Sequence, residues 1–228
     1  MYNGRKILAF VPARIGSKRV KEKNIQMLDG KPLFMHSVDI AKKSKYIDDI
    51  LVSTDSQEIK DISIANGCIS GALRPENLSG DRARIIDAIL YEVETAGLKP
   101  DVVVLLQPTF PFRTLELLDG AIERYFETGE ESVITVTEVL ENPVFFRTIG
   151  SDGRLNKLLD TTSDIRSQDF SKFYRIAGNV YVNNFGKLTK DTVLNENVYP
   201  YEIAREYCLD IDTYLDLEEA RNRVKGDK

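Results

Sequence analysis

The chain has 228 residues, of which 42% are hydrophobic and 29% are charged, a composition typical of a globular protein with a sizeable core. Its formal net charge of −5 argues against a nucleic-acid-binding protein, because such proteins are more often basic. Two distant cysteines argue against a disulfide framework, and the lack of a membrane-length apolar segment or a signal-peptide pattern predicts a cytoplasmic protein with no membrane contact.

The first predicted strand, Ile7 to Pro12, leads into a basic loop that spans residues 13–24. The loop contains Gly16, Ser17 and five cations, which are Arg14, Lys18, Arg19, Lys21 and Lys23. Glycine allows the backbone to approach a ligand closely, and cations neutralise anionic oxygens, so the loop is suited to a polyphosphate. A solvated basic surface loop is the alternative interpretation. The sequence matches neither the Walker pattern nor the dinucleotide-binding fingerprint.

Helices and strands are predicted in alternation over the first half of the chain. We expect helices at about 33–44, at 57–65, from Arg82 and from Thr114, and strands at 47–53, 68–73 and 101–106. This alternation predicts an α/β fold with a mostly parallel sheet, whose ligands lie at the carboxyl ends of the strands. Polar side chains expected to converge there are Arg14, Ser17, Lys23, Asn24, Arg74, Asp81 and Gln107.

The alternation changes at about residue 132. Strands are predicted at 132–137, 180–182 and 206–211, and residues 144–146 are a candidate for a further strand. Residues 150–175 are polar, and a segment of this length inside a compact domain needs a functional reason. We expect an arm that packs on a second subunit, or a lid. The chain is interpreted as a single domain, 1–228, with this insertion at about 140–177.

Two carboxylates, Asp210 and Asp212, end the predicted last strand. Residues two apart on a strand point to the same face, so both side chains are expected to project together. Mg²⁺ is commonly held by one or two carboxylates together with substrate phosphate oxygens and water. The pair therefore predicts a Mg²⁺ site beside a phosphate-binding cleft. The alternative is that Asp212 only caps the last helix, although Thr213 can fill that role.

Several motifs occur in order along nearly the whole chain. They are Ala13-Arg14-x-Gly16-Ser17-Lys18, Lys23-Asn24, Val52-Ser53-Thr54-Asp55, Arg74-Pro75 with Leu78 and Asp81, Leu106-Gln107-Pro108-Thr109-x-Pro111-x-Arg113, Gly178-x-x-Tyr181 and Asp210-Ile211-Asp212. Together they resemble the acylneuraminate cytidylyltransferases, the CMP-sialic acid synthetases. The resemblance implies a Rossmann-like nucleotidyltransferase fold flanked by helices, a homodimer with a dimerisation arm, and the use of CTP and Mg²⁺.

The resemblance also implies roles for individual residues. Residues implied to bind the nucleotide are Ala13, Arg14, Ser17, Lys23, Asn24, Arg74 and Asp81. Residues implied to contact the sugar are Gln107, Arg166, Gln168 and Tyr181, and Arg175 is a candidate partner for the substrate carboxylate. Asp210 and Asp212 are implied metal ligands, and Arg14, Lys23 and Asp212 are implied catalytic residues.

Three positions depart from the family pattern. Arg19 and Phe110 replace a usual glycine and serine, and the arm reads Arg166-Ser167-Gln168-Asp169 where Arg-Arg-Gln-Asp is usual. The departure in the arm leaves the sugar acid open between a nine-carbon acid of the sialic, legionaminic or pseudaminic type and 3-deoxy-manno-octulosonate. Two other classes of function stay as alternatives. A glycosyltransferase would also use an Asp-x-Asp pair, and a nucleotide sensor would need no metal pair.

Overall fold

The computed structural model describes residues 1–160 and 171–226. The strands are β1 (Ile7–Pro12), β2 (Met27–Leu28), β3 (Lys31–Pro32), β4 (Asp49–Ser53), β5 (Val102–Leu105), β6 (Ser132–Glu138), β7 (Arg147–Ile149), β8 (Leu155–Lys157), β9 (Tyr174–Asn184) and β10 (Tyr199–Glu202). The helices are α1 (Leu33–Lys43), α2 (Gln57–Ala65), α3 (Glu76–Ser79), α4 (Ile85–Thr95), α5 (Leu115–Thr128) and α6 (Tyr214–Gly226).

The central sheet has the strand order β10–β6–β9–β5–β1–β4. Strand β1 lies between β4 and β5 and runs parallel to both. Strand β9 is inserted between β5 and β6 and is antiparallel to each, whereas β10 is parallel to β6. With its helices on both faces, this sheet confirms the predicted α/β class. In the part of the chain that the structure describes, no helix is both long enough and apolar enough to cross a membrane.

Side chains of β1 enter two apolar cores on opposite faces of the sheet, because successive residues of a strand point to opposite sides. Ile7, Ala9 and Val11 pack into the core that contains residues of α1, α2 and α5. Leu8 and Phe10 pack into the core that contains residues of α4. Burial on both faces explains why this strand is a continuous apolar run in the sequence.

A third apolar cluster fixes the end of the chain beside its beginning. Leu217 and Ala220 of α6 pack there with Val20, Leu28 and Ile211. Helix α6 begins after Thr213, whose hydroxyl accepts a hydrogen bond from Asp216 N at 3.3 Å, while Asp216 Oδ2 accepts from Thr213 N at 2.6 Å. This reciprocal cap confirms the predicted start of the last helix. The cluster places Ile211 and its neighbours next to the basic loop.

The prediction of a last strand at 206–211 is wrong. Arg205–Tyr207 form a 3₁₀ turn, and the following residues up to α6 are irregular. The apolar side chains of this segment pack into two different cores, Cys208 into the first and Ile211 into the third. The alternation of apolar and polar residues at 206–211 therefore reflects burial in these cores, although the segment pairs with no strand that the structure describes.

Other predicted boundaries also differ from the structure. The candidate strand at 144–146 is wrong, because Pro143–Phe145 form a 3₁₀ helix capped by the side chain of Asn142. At 68–73 only a single bridge from Ile69 to Leu51 extends the sheet. The helix expected from Arg82 begins at Ile85. The polar segment 150–175, expected to be an arm or a lid, contains β8, which pairs with β7 in a hairpin, and the start of β9.

Candidate active site

Two adjoining cavities lie beyond the carboxyl ends of β1 and β5, each with a volume of about 510 Å³. We call the first the basic cavity, because the loop 14–24 lines it together with residues 74–88, 107–109 and Asp212. We call the second the β9 cavity, because residues 175–181 of β9 line it together with residues 192–195 and Asp210. Arg84, Ile85 and Gln107 line both cavities, so the two meet at these residues.

The basic loop is held in place by hydrogen bonds to its backbone. Ala13 N donates to Ser53 O at 2.8 Å, which continues the pairing of β1 with β4. Ile15 N donates to Asp55 Oδ1 at 2.7 Å, and Asn24 Nδ2 donates to Arg14 O at 2.7 Å. These bonds fix the loop from both sides, and all of its cations except Lys21 line the basic cavity. The Ala13 side chain belongs to the first core and lines neither cavity.

Asp81 joins the basic loop to the segment that follows β4. Its carboxylate lies 3.2 Å from Arg14 Nη1 and 2.5 Å from Lys18 Nζ. Arg14 Nη1 also donates to Ser79 O at 2.9 Å. The hydrogen bond and charge of Lys18, followed by those of Arg14, hold the pKa of the Asp81 carboxyl below its usual range. Asp81 therefore shapes the wall of the basic cavity through Arg14 and Lys18.

Asp212 lies directly against the cations of the basic loop. Lys23 Nζ donates to Asp212 Oδ1 at 3.0 Å and to Ile211 O at 2.7 Å. Arg19 Nη2 lies 2.9 Å from Asp212 Oδ2. Ile211 N donates to Thr109 O at 2.9 Å, which ties the same segment to the loop after β5. Although 206–211 is not a strand, the structure brings Asp212 against the basic loop as the sequence predicted, whereas Asp210 lines the other cavity.

Asp210 lines the β9 cavity and has a different environment. Its Oδ1 atom is buried and has no hydrogen-bond partner among the described residues. Burial raises the pKa of the Asp210 carboxyl, a hydrogen bond with Thr109 opposes the rise, and the charge of Asp212 adds to it. A buried carboxylate oxygen without a donor fits a cation ligand, because such an atom otherwise loses its solvation without compensation.

The donor set around this pair fits Mg²⁺ in a particular way. In the described part of the chain, no three His, Cys, Asp or Glu side chains form a group that could hold a metal ion. Mg²⁺ usually takes only one or two protein carboxylates and completes its shell with water and substrate phosphate oxygens. Asp210 and Asp212 therefore suffice as protein ligands if a phosphate-bearing substrate lies in the basic cavity.

Arg74 forms part of the wall of the basic cavity, although it is only 6% exposed. Its Nε donates to Ser53 Oγ at 2.9 Å, and its Nη2 donates to Ser53 O at 2.6 Å. Its backbone N–H donates to Thr54 O at 2.7 Å. Burial lowers the pKa of Arg74, and the charge of Glu92 opposes this effect. The guanidinium is thus anchored to the end of β4.

Tyr181, Gln107 and Arg175, for which the sequence analysis predicted contacts with a sugar, line the β9 cavity. The Tyr181 hydroxyl donates to Asn195 Oδ1 at 2.9 Å. Burial, with a smaller effect from Asp210, raises the pKa of Tyr181 to about 12, so the phenol stays protonated at neutral pH. Arg175 is exposed and forms no ion pair with another described residue. The cavity therefore offers a neutral hydroxyl, an amide and a free cation.

Gly178 allows the tight packing at the floor of the β9 cavity. Its φ of +72° is a left-handed conformation, and a Cβ atom there would lie 2.8 Å from Phe110 Cζ. Gly178 falls where the register between β6 and β9 shifts. A side chain at residue 178 would thus displace the Phe110 ring from the cavity. The backbone conformation and the contact with Phe110 therefore explain the glycine of the motif Gly178-x-x-Tyr181.

Several residues that shape the site had no role assigned from the sequence. Arg113 is fully buried, and burial lowers its pKa to about 9. It donates from Nε and Nη2 to Asn179 O and from Nη2 to Gln107 O, so it fixes the Gln107 loop against β9. Arg84 donates from Nη2 to Thr192 O at 2.8 Å where the two cavities meet. Arg113 lies in a quoted motif, whereas no pattern in the sequence singles out Arg84.

Apart from Ala13, which is part of the first core, the predicted site residues fall into three groups. Those lining the basic cavity are Arg14, Ser17, Lys23, Asn24, Arg74, Asp81, Gln107 and Asp212. Those lining the β9 cavity are Gln107, Arg175, Tyr181 and Asp210. Arg166 and Gln168, predicted to reach the sugar from the arm, lie outside the described residues.

The site thus combines a basic loop after the first parallel strand, Asp212 against the cations of that loop, and Asp210 in the adjoining cavity. A model of the cytidylyltransferase family matches residues 8–223. The chain therefore belongs to the cytidylyltransferase family and is an enzyme of that nucleotidyltransferase type.

Individual relatives agree with this assignment and with the resemblance found in the motifs. The chain is 34% identical to the CMP-N,N′-diacetyllegionaminic acid synthase of Legionella pneumophila, over 92% of this chain and 93% of that protein. It is 30% identical to the pseudaminic acid cytidylyltransferase of Campylobacter jejuni, over 95% of each chain. It is 33% identical to the N-acylneuraminate cytidylyltransferase of Streptococcus agalactiae over 91% of its length, and it spans about half, 51%, of that relative.

The fold also matches solved structures. The structure of a CMP:2-keto-3-deoxy-manno-octonic acid synthetase complexed with CTP superposes with a TM-score of 0.72, covering 98% of this chain and 100% of that one. The two sequences are 15% identical, so this likeness concerns the fold alone.

Proposed function

We propose that this enzyme activates a 2-keto-3-deoxy nine-carbon sugar acid with CTP, giving the CMP-sugar and pyrophosphate. The observation that carries the proposal is the contact of Lys23 and Arg19 with Asp212 in the wall of the basic cavity, which adjoins the β9 cavity. A triphosphate in the basic cavity would place its α-phosphate near Gln107, where the β9 cavity begins. The names of the relatives, which include legionaminic, pseudaminic and acylneuraminic acids, support the same acceptor class.

The residues of the basic cavity would bind and position the nucleotide. Arg14, Lys23 and Ser17 lie where the β- and γ-phosphates would be held, and Arg74 lies in the wall behind them. In the reaction, the anomeric hydroxyl of the acceptor forms a new bond to the α-phosphorus, and the bond to the pyrophosphate oxygen breaks. Negative charge then develops on the leaving pyrophosphate. The ammonium of Lys23 and the guanidinium of Arg14 would stabilise that charge, which is where most catalysis of phosphoryl-type transfer arises.

Asp210 and Asp212 would hold a divalent cation such as Mg²⁺ together with the substrate phosphates. When bound, this cation supplies positive charge to the phosphate oxygens and lowers the pKa of a hydroxyl or water beside it. Asp212 has a second role in the chain itself. Because it accepts from Lys23 and Arg19, it holds both cations at the mouth of the basic cavity before a substrate arrives.

The β9 cavity would bind the sugar acid. Gln107 and Tyr181 present an amide and a hydroxyl for the sugar hydroxyl groups, and Arg175 would pair with the acceptor carboxylate. Gln107 lies where the cavities meet, so it would orient the acceptor hydroxyl toward the α-phosphate. Positioning of this kind turns an encounter of two substrates into an effectively intramolecular step.

The insertion at about 140–177 would act as a dimerisation arm within a single domain, 1–228. The β7–β8 hairpin and the residues that flank it expose apolar side chains: Leu140, Ile149, Leu155 and Leu158 are each more than half exposed. A second copy of this chain would cover them, because exposed apolar patches of this kind mark interfaces. The proposed assembly is therefore a homodimer.

A pyrophosphate-release assay tests the proposed function. The protein is incubated with Mg²⁺ and each of CTP, UTP, ATP and GTP, in combination with N-acetylneuraminate, a legionaminic acid, a pseudaminic acid or 3-deoxy-manno-octulosonate. We expect release only with CTP and a nine-carbon acid, and no release when EDTA removes the divalent cation. If only the eight-carbon acid is turned over, that acid is the substrate and the proposed nine-carbon acceptor is wrong. Release of pyrophosphate with no acid present would contradict the proposal.

A further inference from the structure

Glu92 is a deeply buried acid that contacts neither of the two cavities. It lies on α4, is 1% exposed, and has Ile89 and Val93 of the second core as neighbours on the same helix. Glutamate is rarely buried to this degree unless it is paired, because its charge loses the solvation of water. Glu92 also lies outside every motif that carries the family resemblance. Its burial therefore needs a local explanation.

A short chain of hydrogen bonds links Glu92 to Arg74 of the basic cavity. Ser53 Oγ donates to Glu92 Oε1 at 2.8 Å and accepts from Arg74 Nε at 2.9 Å. Arg74 Nη2 donates to Ser53 O at 2.6 Å. Among the described residues, the third guanidinium nitrogen, Nη1, has no partner. Two nitrogens of Arg74 are thus fixed by one serine, and one is left for a ligand in the cavity that Arg74 lines.

The surroundings of Glu92 leave Arg74 as its principal charged partner. Burial raises the pKa of Glu92, and the hydrogen bond from Ser53 and the charges of Arg74 and Lys60 oppose that rise. The second carboxylate oxygen, Oε2, has no hydrogen-bond partner in the described part of the chain. Gly71 makes room for it, since a Cβ atom there would lie 3.2 Å from Oε2. The site accommodates a carboxylate and directs it toward the serine and the arginine.

We propose that Glu92 is a positioning residue for the nucleotide, which acts by fixing the Arg74 guanidinium through Ser53 in the wall of the basic cavity. The inference rests on the proposed use of CTP, because it assigns Arg74 to that ligand. Glu92 stabilises the side-chain conformation in which Arg74 can bind the nucleotide. The Arg74 side chain therefore loses less conformational entropy when the nucleotide binds. Removal of the Glu92 carboxylate should therefore weaken the affinity for CTP and leave the affinity for the sugar acid unchanged.

The test compares Glu92→Leu and Glu92→Gln with Glu94→Leu and Glu94→Gln, since Glu94 is exposed on the same helix. CTP affinity is measured by titration calorimetry, KM for the sugar acid by pyrophosphate release, and stability by thermal unfolding without ligand. We expect Glu92→Leu to weaken CTP binding about tenfold, the size of losing one hydrogen bond to a charged group. Glu92→Gln keeps an acceptor for Ser53 and should recover part of this loss. KM for the sugar acid and both Glu94 variants should match the wild type.

Wild-type CTP affinity in a folded Glu92→Leu protein would overturn the inference. Equal weakening for CTP and for the sugar acid would also overturn it, because general disruption would then explain the effect. If Glu92→Leu does not fold, Glu92→Gln decides, since it removes the charge and leaves the bond between Ser53 and Arg74 in place: weaker CTP binding supports the inference, and unchanged binding overturns it. Failure of the wild type to bind CTP is a distinct result, which overturns the proposed function and this inference with it.

Discussion

Lys23 Nζ donates to Asp212 Oδ1 at 3.0 Å, across a separation of 189 residues along the chain. The Lys23 side chain is 12% exposed, so its ammonium depends largely on Asp212 and on Ile211 O for its partners. The third apolar cluster holds the two segments together. This contact joins the loop after the first strand to the irregular segment before α6, so the basic cavity is built from both ends of the chain.

Asp212→Asn is expected to reduce kcat at least about 100-fold, the order seen when a group that organises transition-state charge is removed. KM for CTP should change little, because Asn keeps a side-chain oxygen that accepts from Lys23, and the cations of the loop still line the basic cavity. Steady-state kinetics by pyrophosphate release and thermal unfolding check both statements. Glu218→Gln, which changes an exposed carboxylate on α6, is the control. Full activity of the Asp212→Asn variant would contradict a catalytic role for Asp212.

Arg175→Gln is expected to raise KM for the sugar acid about tenfold, since a charge-assisted bond to the acceptor carboxylate is lost. KM for CTP should stay the same, because Arg175 lines only the β9 cavity. Lys187→Gln is a matched control that removes an exposed cation beyond the far end of β9. A change in KM for CTP alone would show that Arg175 serves the nucleotide instead.

Gly178→Ala is expected to lower stability by about 2 kcal/mol and the unfolding temperature by about 4–8 °C, because an L-residue there is strained. The new methyl group would also lie 2.8 Å from Phe110 Cζ and should weaken binding of the sugar acid. Gly129→Ala is the control, since Gly129 has a φ of +68° and a methyl group added there would meet no heavy atom within 4 Å. The backbone strain is similar in the two variants, so the contact with Phe110 should appear as a larger loss at residue 178. Equal losses in stability and unchanged substrate binding would contradict this role of Phe110.

The double substitution Ile149→Asp and Leu155→Asp is expected to convert a dimer into a monomer. The two residues face each other across the β7–β8 hairpin and are 75% and 70% exposed, so charges there should cost the isolated chain little. Light scattering coupled to size exclusion measures the mass. Leu215→Asp, at a residue that is 76% exposed on α6, should leave the dimer intact. A monomeric wild-type protein would contradict the proposal that residues 140–177 form a dimerisation arm.

Local chemistry explains which parts of the fold could be predicted from the sequence. The strand Ile7–Pro12 is buried on both faces and therefore gives an unbroken apolar run. Ser56 and Thr114 cap α2 and α5 with side-chain oxygens, and such caps depend only on neighbouring residues. The convergence of the polar loops also followed, because parallel strands place their carboxyl ends on one edge.

Non-local packing explains what the sequence did not reveal. The prediction of a strand at 206–211 was wrong because Cys208 and Ile211 are buried in different cores. The alternation of apolar and polar residues shows that these side chains are buried, but it does not show in which core. The insertion of β9 between β5 and β6 is set by pairing across long separations. Glu92 looked like any polar residue of an amphipathic helix, since its partners Ser53 and Arg74 are distant in sequence.

The most direct test of the account uses CTP labelled at the α-phosphate, mixed with enzyme, Mg²⁺ and a nine-carbon sugar acid. If cations and acids act on opposite sides of one triphosphate, the label moves to a CMP-sugar and one pyrophosphate forms for each product. Asp212→Asn should abolish this transfer while the variant still binds CTP. Label that stays in CTP, or that appears as free CMP or CDP without a sugar product, would contradict the account.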